Sequence, residues 1–336
     1  MGTAPFRRAD PPGRTLRVGD RVVVRYRLPP GDVAGLTDVV GVLTRADEDS
    51  VTVDSRRGPV RVARVDIVAA KQVPPPPSRR GRPHRAIGVW DLERVMAEGW
   101  VPVERGGLGD WVLRASGGFT GRANSVLPTG EPSLPLPEAV DFCQRWYRDR
   151  ALVPLFALAS PVGGEVSEDP LGAHLLGRGY QPVRRTVVMT AAASDVPAPP
   201  EGSPEVTVDA DLTAEWLQAY AAQRPVLAGV TEQVLTGSRG QLFASVRGGE
   251  RGPVTAIARM AVSPGWAGLS AVWVAPAHRG SGLARALTAA VATLARAHRM
   301  PSIYVQVTED NTAARTLYER SGFATHHTYC YLRCPD

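Results

Sequence analysis

The alternation of apolar and polar positions is clearest towards the C-terminal end of the chain. An apolar run at residues 269–274 (LSAVWV) is typical of a buried strand, and a glycine-rich turn follows it. A second apolar run lies at residues 303–307, after which Asn311 offers an N-cap for a short helix ending at Gly322. Between the two runs, apolar residues recur at helical spacing, at Leu283, Leu287, Ala290, Val291 and Leu294. The order of these elements predicts a βαβα unit.

An earlier stretch of the chain repeats this order of elements. Helical spacing at residues 137–148 is followed by an apolar run at residues 152–159, then by a short helix and a strand. Aligning LLGRGY with LYERSGF, and RTVVMT with THHTYCYL, indicates a divergent internal repeat. In this alignment Leu176 takes the position of Tyr318, and residues 122–130 (RANSVLPTG) take the place of the glycine-rich turn.

The first part of the chain has a different pattern, in which turn segments separate short strand-like runs. Such runs lie at residues 21–27, 38–45, 50–54, 60–63 and 65–70. Short antiparallel strands most readily close into a barrel, because closure removes exposed strand edges. The unit resembles an SH3-like barrel, which we expect over residues 15–71.

Two segments without hydrophobic periodicity divide the chain. Residues 72–85 contain five prolines among basic residues, and residues 191–204 are rich in alanine and proline. Proline-rich segments of this kind are typical of extended linkers. We therefore expect three folded units, at residues 15–71, 86–190 and 205–336, which agrees with the chain length of 336 residues.

Composition narrows the class of protein. The chain is 43% hydrophobic and 21% charged, as in packed globular proteins. No apolar run approaches the roughly 18 residues of a membrane span, and the first residues lack the apolar segment of a secretory signal. We therefore expect a cytoplasmic protein with no membrane partner. Cys143, Cys330 and Cys334 lack zinc-site spacing, so reduced thiols and no metal are expected.

The positive charge is concentrated near the N-terminus. The whole chain has a formal net charge of +6, but residues 1–86 contain 17 Lys and Arg against 9 Asp and Glu. A basic first unit permits contact with nucleic acid. A structural or docking role for this unit is the alternative, because Tyr26 is the only aromatic residue available there for base stacking.

The glycine-rich turn is the clearest candidate for chemistry. In residues 279–284 (RGSGLA), a turn between a strand and a helix directs backbone N–H groups out of the helix N-terminus, an arrangement that binds phosphate. Gly280 and Gly282 would let the backbone approach phosphate oxygens that a side chain would keep away. Taken alone, such a turn is also common in α/β proteins as a means of tight packing.

The larger pattern is more specific. V-x-P-x-x-R-G-x-G-x-A at residues 274–284, then IYVQV, then DNTAARTLYERSGF at residues 310–323, resembles the GNAT family of acetyl-CoA-dependent N-acetyltransferases. The earlier repeat resembles the degenerate first half of tandem GNAT proteins. With the barrel in front, the whole chain resembles an actinobacterial group of GNAT proteins that carry an N-terminal SH3-like domain. The resemblance implies an α+β fold, with two tandem GNAT-like α/β halves preceded by a small all-β barrel.

The resemblance also implies a site for acetyl-CoA as co-substrate. The turn would surround the pyrophosphate, the backbone at Trp273 and Val274 would pair with the pantetheine arm, and the Val274 N–H would polarise the thioester oxygen. Asn311 would hydrogen-bond the arm, and Tyr318 would protonate the leaving thiolate as the catalytic acid. The implied site residues are Trp273, Val274, Arg279, Gly280, Ser281, Gly282, Leu283, Ala284, Asn311 and Tyr318.

The sequence departs from the family at the general base. The family's common base is a glutamate on the fourth strand, and residues 269–274 contain none. Glu232, Glu309, His326 and His327 are alternatives, although each is as readily a structural or solvated residue. Since successive strand residues alternate in direction, only one of the two histidines is expected to point inward.

Three functions are therefore weighed. The first is an N-acetyltransferase in which a primary amine attacks acetyl-CoA directly in a ternary complex. The second is an acetyl-CoA-binding sensor that has lost turnover, and the third is a nucleic-acid-associated protein acting through its basic first unit. Tyr318 separates the first two, because a sensor does not need a proton donor. The acceptor amine is not identifiable from the sequence.

Overall fold

The small N-terminal domain is an antiparallel sheet of five strands. The computed structural model describes residues 16–28, 35–55, 58–73, 82–199, 201–249 and 252–335, so most of the predicted proline-rich linker lies outside the described residues. The strands are β1 (Arg21–Arg27), β2 (Leu36–Ala46), β3 (Ser50–Ser55), β4 (Gly58–Ala63) and β5 (Ile67–Gln72), in the order β4-β3-β2-β1-β5. They confirm the five strand-like runs of the sequence.

The core of this domain follows from alternation along the strands. In β1, Val22 and Val24 are buried while Arg25 is exposed, as expected for a strand with one face on a core. Val53 and Val62 from β3 and β4 join the same cluster. The described pairings leave β4 and β5 as the two ends of the sheet, so the expected closure of the barrel by hydrogen bonds between them is not seen.

The rest of the chain forms a second, larger body with two parts. The elements from α1 to β10 are called the first half, and those from β11 to β16 the second half. The first half contains α1 (Pro83–Ala86), α2 (Val89–Gly99), β6 (Glu104–Leu108), β7 (Trp111–Ala115), β8 (Val126–Pro128), α3 (Leu136–Arg148), β9 (Leu155–Ser160), α4 (Pro170–Gly177) and β10 (Gln181–Ala192). The second half contains β11 (Thr207–Asp209), α5 (Ala214–Ala221), α6 (Val230–Thr236), β12 (Gln241–Arg247), β13 (Val254–Ser263), β14 (Trp266–Val274), α7 (Leu283–Ala297), β15 (Ser302–Thr308), α8 (Thr312–Arg320) and β16 (Ala324–Arg333).

Both halves contribute to one sheet of eleven strands. Its order is β11-β12-β13-β14-β15-β10-β16-β9-β8-β7-β6. β10, the last strand of the first half, lies between β15 and β16, and β16 lies between β10 and β9. Each half thus supplies its last strand to the sheet of the other. The predicted tandem α/β fold is confirmed, and the two halves are continuous through this exchange.

The ends of α4 and α8 correct the alignment of the repeat. The Tyr180 N–H donates to the Leu175 carbonyl at 3.0 Å, and the Phe323 N–H donates in the same way to the Tyr318 carbonyl. Both bonds close the same type of helix C-terminus. Leu175 is therefore the counterpart of Tyr318. The prediction of Leu176 was wrong, because the aligned segments LLGRGY and LYERSGF differ in length by one residue.

The place of the glycine-rich turn in the first half also needs correction. β8 pairs in parallel with β9, as β14 pairs in parallel with β15, so β8 is the counterpart of β14. The prediction that residues 122–130 replace the turn was wrong, because the whole of β8 falls within them. The counterpart is the segment between β8 and α3, residues 129–135 (TGEPSLP), which also lacks the glycine pattern.

The second half is organised around α7. Leu283, Leu287 and Val291 are buried against the sheet, whereas Ala290 and Leu294 are half-buried, so the predicted face is the packed one. Burial of this apolar face fixes the start of α7, and with it the turn before it, against β14. Among the described residues, no helix is long and apolar enough to cross a membrane.

Candidate active site

The sheet opens between β14 and β15. Their parallel pairing starts at Trp266 with Ser302 and ends at Leu269 with Val305. Beyond that point β14 changes register against β13, and Ala271 adopts a positive φ of 53°. A bulge of this kind bends a strand away from its neighbour. Residues 270–274 therefore face an opening instead of the next strand.

A cleft of about 860 Å³ occupies this opening. Of the ten predicted site residues, Ser281 is the one that does not line the cleft, and its hydroxyl donates to the His278 carbonyl. The other nine line it: Trp273, Val274, Arg279, Gly280, Gly282, Leu283, Ala284, Asn311 and Tyr318. The structure thus brings together residues from a strand, a turn and two helices that the sequence indicated separately.

The glycine-rich turn faces open space at one end of the cleft. Gly280 and Gly282 have φ angles of 79° and 83°, which only glycine adopts readily, and a Cβ at either position would contact nothing within 4 Å. Gly282 is the N-cap of α7, whose first backbone N–H groups lack partners inside the helix. Together with the helix dipole, these groups make this end of the cleft suitable for a phosphate group.

Tyr318 lies in the wall of the cleft. Its side chain is 3% exposed, and its ring packs edge-on against Phe323 with centroids 5.5 Å apart. Burial raises the pKa of the Tyr318 hydroxyl well above its usual range, so the group keeps its proton at neutral pH. Within the described part of the chain no protein group is hydrogen-bonded to this hydroxyl, which leaves it available to a ligand in the cleft.

Asn311 has a structural role that leaves part of its side chain available. Its Oδ1 accepts a hydrogen bond of 3.1 Å from the Ala314 N–H, which makes it the N-cap of α8. The residue is exposed and lines the cleft. The amide nitrogen is not used in the cap, so it is able to donate to a ligand.

The four alternative bases lie elsewhere, since neither Glu232, Glu309, His326 nor His327 lines the cleft. The expectation that only one histidine points inward was wrong. The two rings touch, with 2.7 Å between their Nδ1 atoms, because the pairing of β10 with β16 shifts register and leaves His326 as an extra, bulged residue. His327 Nε2 is 2.9 Å from Glu93 Oε1, so the pair belongs to the contact between the halves.

The end of the cleft formed by Trp100 and Tyr220 was not predicted. It includes Trp100, Thr120 and Arg122 from the first half, together with Tyr220 and Arg224 from the second. The first half therefore contributes directly to the cleft. The sequence signal for these residues is weak, because they come from segments that are far apart along the chain and have no shared motif.

The cleft lining is positively charged. It includes no Asp or Glu among the described residues, but six arginines: Arg122, Arg184, Arg224, Arg279, Arg285 and Arg320. None of the six takes part in an ion pair with a described carboxylate. The cleft is therefore suited to anionic ligands, and it offers no carboxylate as a general base. In the part of the chain that is described, no group of His, Cys, Asp and Glu is placed to hold a metal ion.

A sheet opened between two parallel strands, with a glycine-rich turn at the start of the next helix, is the fold of the GNAT N-acetyltransferases. A GCN5-related N-acetyltransferase from Kribbella flavida has a similar structure, with a TM-score of 0.53 and 19% identity over 74% of this chain and 96% of that one. Likeness at this level shows the fold.

The family is given by the sequence comparisons. Residues 88–332 match the family described as "Probable histone acetyltransferase Rv0428c C-terminal", and residues 16–71 match "Rv0428c N-terminal Sm-like domain". The chain therefore belongs to the Rv0428c family of GNAT N-acetyltransferases. The first domain is Sm-like, which corrects the SH3-like assignment and keeps its all-β class.

Two curated proteins are similar over most of their length. The probable histone acetyltransferase Rv0428c of Mycobacterium tuberculosis is 31% identical over 94% of this chain and 95% of its own. The uncharacterized N-acetyltransferase YobR of Bacillus subtilis is 26% identical over 70% of this chain and 96% of its own. Both names agree with the enzyme class predicted from the sequence, an N-acetyltransferase.

Proposed function

We propose that the protein transfers the acetyl group of acetyl-CoA to a primary amine, which attacks the thioester directly in a ternary complex. The observation that carries the proposal is the cleft itself. One continuous space connects the start of α7, the free edge of β14 and Tyr318. A donor with a phosphate end, an extended arm and a thioester needs these three features in this order.

The donor would bind along the predicted residues. The N-terminus of α7 favours the pyrophosphate, and the exposed Arg279 and Arg285 add positive charge there. The backbone of Trp273 and Val274, at the free edge of β14, can hydrogen-bond the extended arm. The Val274 N–H would then donate to the oxygen on which negative charge develops.

The chemistry would be one displacement. The amine nitrogen forms a bond to the thioester carbon, the C–S bond breaks, and the sulfur leaves with its electron pair. Tyr318 would give its proton to that sulfur, a role supported by its place in the cleft wall and by a hydroxyl that no described protein group engages. A sensor without turnover would have no need for this proton.

The amine also loses a proton during the reaction. Because no described carboxylate lines the cleft, we propose that the acceptor binds as the neutral amine, or passes its proton to water in the cleft. In the second case, water takes the role of the general base that the sequence did not identify.

Calorimetry of CoA binding tests the proposal. Gly282→Val would place a side chain in the space assigned to the phosphates and should weaken CoA binding at least about tenfold. Gly265→Val is the matched control, because Gly265 has a similar φ of 75°, also has open space at its Cβ, and lies outside the cleft. Loss of affinity in both variants, or in neither, would contradict the proposed site.

A further inference from the structure

We propose that the acceptor is an amine that also carries an anionic group, a carboxylate or a phosphate, and that Arg122 and Arg224 bind this group. The proposal rests on the N-acetyl transfer described above and adds the class of acceptor. Both arginines line the cleft at the end formed by Trp100 and Tyr220.

Arg122 is held in place without using its hydrogen-bond donors. It lies in the single helical turn Gly121–Ala123, with its guanidinium carbon 5.0 Å from the centre of the Trp100 ring. Trp100 is itself fixed, since its Nε1 donates to Thr120 Oγ1 at 3.0 Å and its ring stacks on Phe119. Stacking on an aromatic face orients a guanidinium while leaving its N–H groups available for a carboxylate or phosphate.

Arg122 and Arg224 form no ion pair with a described carboxylate. Tyr220, which lines the same end, has three charged neighbours that influence it, Arg224, Arg122 and Arg259, and all are basic. Arg259 is fully buried below Trp100, 5.3 Å from the centre of that ring. Its guanidinium donates to two carbonyl oxygens and one hydroxyl, so its charge is hydrogen-bonded but not paired with a carboxylate.

A concave site with this positive charge selects ligands by the sign of their charge. Two guanidinium groups pair strongly with an anion, whereas a cationic partner would be repelled. The M. tuberculosis relative is named a probable histone acetyltransferase, and the lysine-rich segments of a histone are cationic. The arginines at this end favour a compact anionic amine over such a segment.

The binding test uses protein saturated with CoA, so that the phosphate end of the cleft is occupied. Succinate and glycerol phosphate are the anionic probes, and succinamide is the neutral control, each titrated by calorimetry. We expect at least one of the two anions to bind: succinate if the site takes a carboxylate, glycerol phosphate if it takes a phosphate. Succinamide should not bind. Arg122→Gln and Arg224→Gln should each weaken binding about tenfold or more.

Arg239→Gln is the matched control variant, because Arg239 is exposed and lies outside the cleft. A melting curve of each variant checks that it is folded. Absence of anion binding by the saturated wild-type protein would overturn the inference, as would binding that is unchanged in Arg122→Gln and Arg224→Gln.

A transfer assay separates this inference from the proposed function. Its acceptors are matched pairs, β-alanine with β-alaninamide and glucosamine 6-phosphate with glucosamine, along with a lysine-rich peptide. We expect kcat/KM to favour the charged member of at least one pair about tenfold or more, and Arg122→Gln to remove the preference. Preference for the peptide would overturn the inference but not N-acetyl transfer. Failure to bind CoA would overturn the proposed function, while loss of anion binding in Arg122→Gln and Arg224→Gln, but not in Arg239→Gln, would still support the inference.

Discussion

Arg259, on β13 of the second half, donates a hydrogen bond of 2.9 Å to the carbonyl oxygen of Gly99, the last residue of α2 in the first half. The same guanidinium donates to the Leu235 carbonyl, in the last turn of α6. Two helix C-termini, each the negative end of a dipole, thus hold one buried positive charge. Burial lowers the pKa of Arg259 to about 10, so the group remains charged at neutral pH.

Arg259→Met should destabilise the protein. The buried Gly99 and Leu235 carbonyls and the Ser238 hydroxyl would each lose a donor. We expect the free energy of unfolding to fall by about 2 kcal/mol or more, since each unsatisfied buried group costs about 1–3 kcal/mol. Urea unfolding measures this. Arg247→Met, which removes an arginine paired with the exposed Glu215, should change it by less than about 1 kcal/mol. Equal effects of the two variants would argue against the cross-half role of Arg259.

Tyr318→Phe should separate catalysis from stability. Loss of the proton donor is expected to lower kcat about 10²- to 10⁴-fold, while CoA affinity stays unchanged. The melting temperature should also stay unchanged, because the hydroxyl has no described partner to lose.

Tyr147→Phe is the matched control for this change. The Tyr147 hydroxyl is buried and donates to the Arg114 carbonyl at 3.0 Å, far from the cleft lining. Its removal should lower stability by about 1 kcal/mol and leave kcat unchanged. Full turnover in Tyr318→Phe would remove Tyr318 from the catalytic step.

His326 should make folding sensitive to mild acid. Burial, followed by the charge of His327, lowers the pKa of His326 to about 4 from a usual value of 6.5. The unfolded chain therefore binds more protons than the folded one between these pH values, so stability is lost as the pH falls through that window. The loss is at most about 1.4 kcal/mol per pH unit.

Chemical unfolding at several pH values tests the role of His326. His326→Gln should flatten the pH dependence between about 4 and 6.5, with His84, whose pKa is also lowered by burial, providing part of the remainder. His278→Gln, at an exposed position, should leave the dependence as in the wild type. An unchanged slope in His326→Gln would show that other groups carry the effect.

The pH dependence of the reaction should follow the acceptor. If the amine loses its proton to water, kcat/KM should rise with pH up to the pKa of the amine itself. Two acceptors with different amine pKa values should therefore give two different inflections. A single inflection shared by both acceptors would indicate a base on the protein.

The sequence was most informative where neighbouring residues act together. The turn before α7, the apolar face of that helix and the N-cap at Asn311 are local features, and each was predicted from spacing over a few residues. The end of the cleft at the glycine-rich turn is built almost entirely from them. Short-range patterns are sufficient here because α7 follows the turn directly.

The end of the cleft formed by Trp100 and Arg122 was not predictable in this way. Trp100 and Arg122 reach the cleft because the first half is fixed against the second by the pairing of β10 with β15 and β16. Strand order over such separations leaves no mark in local hydrophobic spacing. The bulge at His326 was not predicted for the same reason, since a register shift depends on the partner strand.

The exchange of β10 and β16 sets the order of events during synthesis. Val188 has Gln306 on one side and His327 on the other, both more than a hundred residues further along the chain. Until those residues leave the ribosome, β10 has neither of its neighbours, and β9 lacks the strand that joins it to the centre of the sheet. Loop closure over such distances is slow. The first half must therefore wait, unfinished and with its strand edges open to misassembly or to chaperones, until the last strand has been made.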